Sequence, residues 1–179
     1  MTYGGDIRDM KKKIYVAIMT LALACAMVGC GKKDNNDNKV QEDITTFVND
    51  SLPAISEDRD NAIAVYNSYF TGEDVDIQQY LKDLQDTAIP DMETYITNVT
   101  AIETSTDEVA GLKDLYLQSV QKECDAMKMV ASAIEEDNVE FLTQADTMMG
   151  EATSFMTQYQ SQLKVLAIDN DITINGSFN

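Results

Sequence analysis

The chain is predicted to be all-α, an up-down-up-down four-helix bundle, from three observations. Apolar side chains recur at intervals of three and four residues from Val40 to Leu166, the spacing that gathers them on one stripe of a helix. The stripes fall into stretches of roughly thirty residues, about 45 Å at 1.5 Å per residue, joined by turns of a few residues that suit antiparallel neighbours. No strand-helix alternation of the kind that builds α/β domains is present. A helical repeat array would need shorter helices and a pattern returning at a fixed period, and none returns.

Ahead of the bundle, Lys11, Lys12 and Lys13 precede an apolar run from Ile14 to Val28. A secretory signal has this form, with an apolar region of roughly 7 to 15 residues. A spanning helix needs about 20, and Lys32 and Lys33 close this run too soon. Met27-Val28-Gly29 then lead into Cys30, which Gly31-Lys32-Lys33 and a polar stretch follow.

These residues resemble the lipobox of bacterial lipoproteins. The resemblance covers Lys11 to about Lys33 and implies three events: a diacylglycerol on the Cys30 sulfur, cleavage between Gly29 and Cys30, and acylation of the new amino group, for example by palmitate. Met27 stands where that family more often has Leu. Cys25 fits less well, because Ala26, Met27 and Val28 after it are apolar and a tether should be polar. Two acyl chains, at about 0.8 kcal/mol per buried CH₂, suffice for stable anchoring. The implied location is the extracytoplasmic face of the cell membrane. Asp6 and Asp9 sit where a basic segment takes no acid, so Met10 is expected to be the start.

The organisation expected is therefore a signal peptide at 1–29, a lipidated cysteine and flexible tether at 30–39, a helical domain at 40–168 and a tail at 169–179. Asp34 to Asn38 form a run of Asp and Asn without the glycine or distal glutamate of a calcium loop. The first stripe is Val40, Ile44, Phe47, Val48, Leu52, Ile55, Ala62, Tyr66, Tyr69 and Phe70. Pro53 should kink or split it, with Ser51 starting the second part, and Gly72 should end it. Ile77, Leu81, Leu84, Ala88, Met92, Tyr95, Val99 and Ile102 form the second, with a kink or break at Pro90.

Ser105-Thr106-Asp107-Glu108 has the S-x-x-E form of a capping box and should open the third helix. Val109, Leu112, Tyr116, Val120, Cys124 or Met127, Ala131 and Ile134 line it. After a turn at 135–138, capped by Asp137 and Glu140, Phe141 or Leu142, Ala145, Met148 or Met149, Ala152, Phe155, Tyr159, Leu163 and Leu166 line the fourth. Ile172, Ile174 and Phe178 suggest a loose end or a short extended strap.

Composition narrows the chemistry. With 31 Asp and Glu against 13 Lys and Arg, the net charge is −18, which repels nucleic acid and anionic headgroups. No histidine occurs, so neither Ser-His-Asp nor Cys-His catalysis, His-ligated zinc nor the Glu-x-x-His motif of ferritin-like bundles can be assembled. Cys124 falls on a helix stripe and reads as a small buried hydrophobe. The methionines at 92, 127, 129, 148, 149 and 156 read as gap-fillers between helices. Asp74 and Asp76 are a weak candidate cation site. Tyr66, Tyr69, Tyr95, Tyr116 and Tyr159 should line the bundle with their hydroxyls reaching its edge, and an end where they converge would be a binding site. No catalytic residue set and no cofactor is expected. The sequence points to a non-enzymatic interaction or scaffold module held at a membrane by its lipid, with a protein partner at the cell surface. The alternative is a small-ligand or cation receptor.

Overall fold

The computed structural model describes residues 35–71 and 76–174, and among them every regular element is helical. The order is α1 (Asn35–Thr45), a π-helical segment (Thr46–Ser51), α2 (Leu52–Ala54), α3 (Ser56–Thr71), α4 (Ile77–Asp83), a second π-helical segment (Leu84–Ala88), α5 (Ile89–Ala101), α6 (Asp107–Glu135) and α7 (Glu140–Asp169). No helix among the described residues is long and apolar enough to cross a membrane. The expected stripes are buried almost throughout, from Ile44 and Phe47 to Tyr159 and Leu163. Helix α1 begins at Asn35, so 35–39, expected in the flexible tether, continues the helix backward from its buried positions Val40 and Ile44.

The two prolines act alike. A proline lacks an N–H, and its ring collides with the carbonyl four residues back. In both places the chain widens ahead of it. The Leu52 N–H, next to Pro53, bonds the Phe47 carbonyl, and the Ile89 N–H, next to Pro90, bonds the Leu84 carbonyl, five residues back instead of four. Helix passes through Pro90 without a break. Beyond Pro53 it bends at Ile55, whose φ of −117° and ψ of 5° leave the helical region. Ser51 makes no side-chain cap, because it lies inside the widened turn. The second π segment also rotates the helix before it. Tyr80 is therefore the buried residue there, and Ile77 and Leu81 are half-buried.

The ends of α6 and α7 depart from the sequence expectation in instructive ways. Thr106, not Ser105, caps α6, its hydroxyl oxygen accepting from the Val109 N–H at 3.4 Å. A capping box would use the Glu side chain to satisfy the backbone N–H at the cap. Here Asp43 of α1 does so: its Oδ2 accepts from the N–H groups of Ser105 and Thr106, both at 2.8 Å, and from the Thr106 hydroxyl at 2.6 Å. At the other end of α6, Asp137 does not cap α7 but takes a left-handed φ of 48° that terminates α6. The Asn138 N–H then reaches back to the Ala133 carbonyl at 3.0 Å, while the Asn138 side chain accepts from the Glu140 N–H. Helix α7 ends in the same way, with Asp171 at φ 58° and the Ile172 N–H on the Ala167 carbonyl. Ile172 is buried, and Thr173 beyond it accepts a bond from the Asn49 side chain at 3.2 Å. The start of the tail is thus held against the helices by these two residues.

Helices α6 and α7 pack along their lengths, α3 packs on the second π segment and α5, and α5 packs on α6. Small residues set the closest approach. Ser119, Ala126 and Ala133 recur every seven residues on α6, and Ala145 and Ala152 do so on α7, all of them buried. The Ser119 hydroxyl donates to the Ala152 carbonyl at 2.9 Å, which fixes the antiparallel register and brings Ala126 opposite Ala145 seven residues nearer the turn.

Gly111 and Gly150 lie mid-helix on exposed positions, and a Cβ built on either meets nothing within 4 Å. Gly111→Ala and Gly150→Ala should each stabilise the fold by about 1 kcal/mol, the helix-propensity difference, read as a raised urea midpoint with unchanged slope.

Candidate functional site

The titratable and hydrogen-bonding side chains that the fold brings together are interior ones, contributed by α3, α5, α6 and α7. Arg59 leaves the second turn of α3, where Glu57 and Asp58 suit the helix N-terminus and Arg59 turns inward. One guanidinium nitrogen donates to both carboxylate oxygens of Glu123 on α6, at 2.9 and 3.1 Å. Both side chains are largely shielded, 13% and 14% exposed, so this pair is not a surface ion pair of negligible worth.

Tyr116 lies two turns before Glu123 on α6. Its hydroxyl shares a proton bridge with that of Tyr95 from α5, oxygen to oxygen 2.6 Å. Tyr159 of α7 meets the Tyr116 ring edge-on, centroids 5.2 Å apart, and Tyr95 meets it likewise at 6.4 Å. Burial works against the Arg59 charge, but the Glu123 carboxylate beside it outweighs burial, and the guanidinium is held still more firmly protonated. Burial first, and neighbouring groups second, push the Tyr95 and Tyr159 hydroxyls well above the ordinary phenol range.

A second group sits where α3 and α4 meet. Tyr80 stacks on Tyr69 with centroids 4.8 Å apart, and its hydroxyl donates to the Tyr66 carbonyl at 3.0 Å. Burial, with Asp146 adding to it, pushes Tyr66 up to about 12.

These placements correct the sequence reading of the tyrosines. Tyr66, Tyr69, Tyr95, Tyr116 and Tyr159 are buried, and so is Tyr80, which the sequence reading missed. For Tyr80, Tyr95 and Tyr116 the reason is on hand: a phenol can be enclosed once a carbonyl or another hydroxyl shares its proton. Arg59, Glu123 and Asp43 were missed as well. Charged residues next to other charged residues read as surface, and no local spacing signals a partner more than sixty positions away.

Of the other sequence candidates, Gly29, Cys30 and Asp74 lie outside the described residues. Asp76 caps α4, its carboxylate accepting from the Gln78 and Gln79 N–H groups. Among the described residues no group of three His, Cys, Asp or Glu side chains is placed to hold a metal ion. Cys124 is buried, and burial pushes its thiol up, away from the reactive thiolate. Met92 and Met127 are fully buried, and Met129, Met148, Met149 and Met156 pack against the same core.

The arrangement suits holding helices in register better than acid-base work. Its hydroxyls are kept protonated across the neutral range, its cation is kept charged, and its bonds run between helices, to side chains or to backbone carbonyls. No protein-family model matches this chain, and neither the curated proteins nor the solved structures provide a match.

Two outcomes follow from this network. Glu123→Gln leaves the Arg59 charge without its carboxylate and should cost about 3 kcal/mol in a denaturant titration, with Arg59→Met/Glu123→Leu recovering most of the loss. Alkali is the second probe. Tyr66 is raised in the folded state above its unfolded value near 10, so its stabilising share is complete below pH 10 and is lost as pH climbs toward 12. Tyrosinate absorbance at 295 nm from the buried rings should rise together with loss of helical circular dichroism in that window, and Tyr66 alone should account for about 3 kcal/mol of it.

Proposed function

We propose that this chain is a lipid-anchored cell-envelope protein whose acidic helical domain serves as a non-enzymatic interaction or scaffold module. The observation that carries the domain half is a set of buried polar contacts made between helices. Tyr95 with Tyr116, Arg59 with Glu123, Tyr80 with the Tyr66 carbonyl and Ser119 with the Ala152 carbonyl bond one another across helices. Groups engaged in this way position helices, and what remains to act on another molecule is the surface. The anchor half rests on Lys11 to Lys13, the apolar run to Val28, and Cys30 with its polar sequel.

The finer architecture proposed is the up-down-up-down four-helix bundle, with the stretch from α1 to α3 as its first helix and that from α4 to α5 as its second. Its support is the packing of α3 on α5, α5 on α6 and α6 on α7, each between chain neighbours joined by short connections.

Intact-mass analysis of the chain recovered from its host's membrane fraction, beside a Cys30→Ala variant, tests the anchor. A product beginning at Cys30 and carrying diacylglycerol, absent in the variant, is the expected result. Unmodified full-length chain in the cytosol would overturn the reading.

A further inference from the structure

Helix α1 starts at Asn35, five residues after Cys30, so its first turn lies within about 18 Å of that cysteine whatever path the chain takes between them. From there the chain runs alongside α6 and in the same direction. Asp43 holds Thr106 at the start of α6, and Arg59 holds Glu123, sixteen residues further on along the first stretch and seventeen along α6. Asn35 lies eight helical residues ahead of Asp43, so α1 overshoots the start of α6 by about 12 Å. The end of α7 comes to the same place, since Asn49 donates to the Thr173 carbonyl and Ile172 beside it is buried. The opposite end, where residues 136–139 join α6 to α7, lies about 43 Å away, the length of the 29 residues of α6.

We propose that the domain stands end-on at the membrane, with the α5–α6 connection, the first turn of α6 and the end of α7 turned to the lipid headgroups and the turn at 136–139 outermost. The inference rests on the anchor reading and adds to it the face that the anchor presents to the lipid. A link of five residues leaves the domain room to lie flat, and two features oppose that. Helix α1 is clamped through Asp43 to α6, and Asn49 just beyond it to the end of α7, so α1 turns only with the whole domain. Charge is the second. Exposed carboxylates line the flanks, among them Asp60 on α3, Asp114 and Asp125 on α6 and Asp146 on α7. Anionic headgroups repel them within a Debye length of about 8 Å at physiological salt, and a domain lying flat brings a whole flank into that layer. The near end carries exposed carboxylates too, at Glu103, Asp107, Glu108, Asp169 and Asp171. In the standing posture the overshoot of α1, about 12 Å, exceeds the screening length and holds them clear of it.

The test is energy transfer from the domain to the bilayer. The chain recovered from its host's membrane fraction is reconstituted in vesicles of phosphatidylcholine and phosphatidylglycerol whose headgroups carry an acceptor dye. A donor dye is attached to Glu103→Cys at the near end or, in a separate sample, to Val139→Cys at the far end. Both positions are exposed and Cys124 is buried, so the new thiol is the one that reacts. The transfer rate is expected to be at least about tenfold higher from position 103 than from position 139, given the roughly 43 Å between the two ends. Inserting about ten Gly and Ser residues after Lys33 lengthens the link without touching the described helices, and should narrow that ratio. If circular dichroism shows lost helicity, Glu108→Cys and Glu136→Cys take the place of the two labelling variants. Equal rates from the two ends, a faster rate from the far end, or a ratio that the insertion leaves unchanged overturns the proposal. The mass spectrum of Cys30 is read separately. Lipidated Cys30 with equal rates removes the posture and keeps the anchor, and unmodified Cys30 removes both.

Discussion

The Arg59–Glu123 pair is the constraint around which the interior is arranged. It spans α3 and α6, and the rings of Tyr95, Tyr116 and Tyr159 around it come from α5, α6 and α7. Apolar stripes alone would let helices slide or rotate by a residue with little change in buried area, since Leu, Met and Ala exchange neighbours cheaply. A charge pair shielded from water has no such freedom, because any slip that separates it strands a charge in a poor dielectric. The tyrosine hydroxyl pair and the Ser119 bond to the Ala152 carbonyl add the same discrimination on other helix faces. Apolar burial drives collapse here, and a few polar contacts select one packing among many.

The prolines supply a second kind of constraint, acting through the backbone. Phe47 and Leu84, whose carbonyls accept the five-residue bonds at the two π segments, are themselves buried, so each widened turn occurs on the core side of its helix. A helix that gains a residue in one turn changes which side chains face inward on either side of it. In the first stretch Phe47 and Val48 are buried as neighbours, and in the second Tyr80 replaces Ile77 and Leu81. Proline thus leaves the helix continuous at Pro90 while resetting its stripe, and this resetting is what admits Tyr80 to its stack on Tyr69.

Helical class, the long uninterrupted α6 and α7 and most of the core were legible in the sequence, because a 3.6-residue period is local information and each stripe repeats it many times. The polar network was not. Arg59 sits in Glu57-Asp58-Arg59-Asp60 and Asp43 beside Glu42, contexts that on any local reading belong to water. Asp43 becomes a cap because the chain connects α5 to α6 right beside α1, and that juxtaposition is tertiary. The same holds for the cap at α6: the S-x-x-E spacing favoured Ser105, and the distant carboxylate of Asp43 goes with Thr106 as the cap instead. Asp137 failed as a cap for a different reason. Asp serves both the helix start and the left-handed position that ends a helix, and in a turn this short only one residue can do each.

Charge ties these levels together. Cations are scarce in this chain, and several in the described helices are engaged by backbone carbonyls or by carboxylates. Lys113 donates to the carbonyls of Thr100 and Ile102 at the end of α5, where a cation meets the negative end of the helix dipole. Lys122 and Lys128 link α6 to Glu151 of α7 and Glu93 of α5, and Lys82 pairs with Asp86 one turn on. Placed there, they join helices but leave most carboxylates unneutralised, so the surface stays acidic and copies of the molecule repel. The C-terminal half of α7 is the exception, and it can be. Its inward side is Tyr159, Leu163 and Ala167, all buried, and apolar packing of that kind needs no ion pairs.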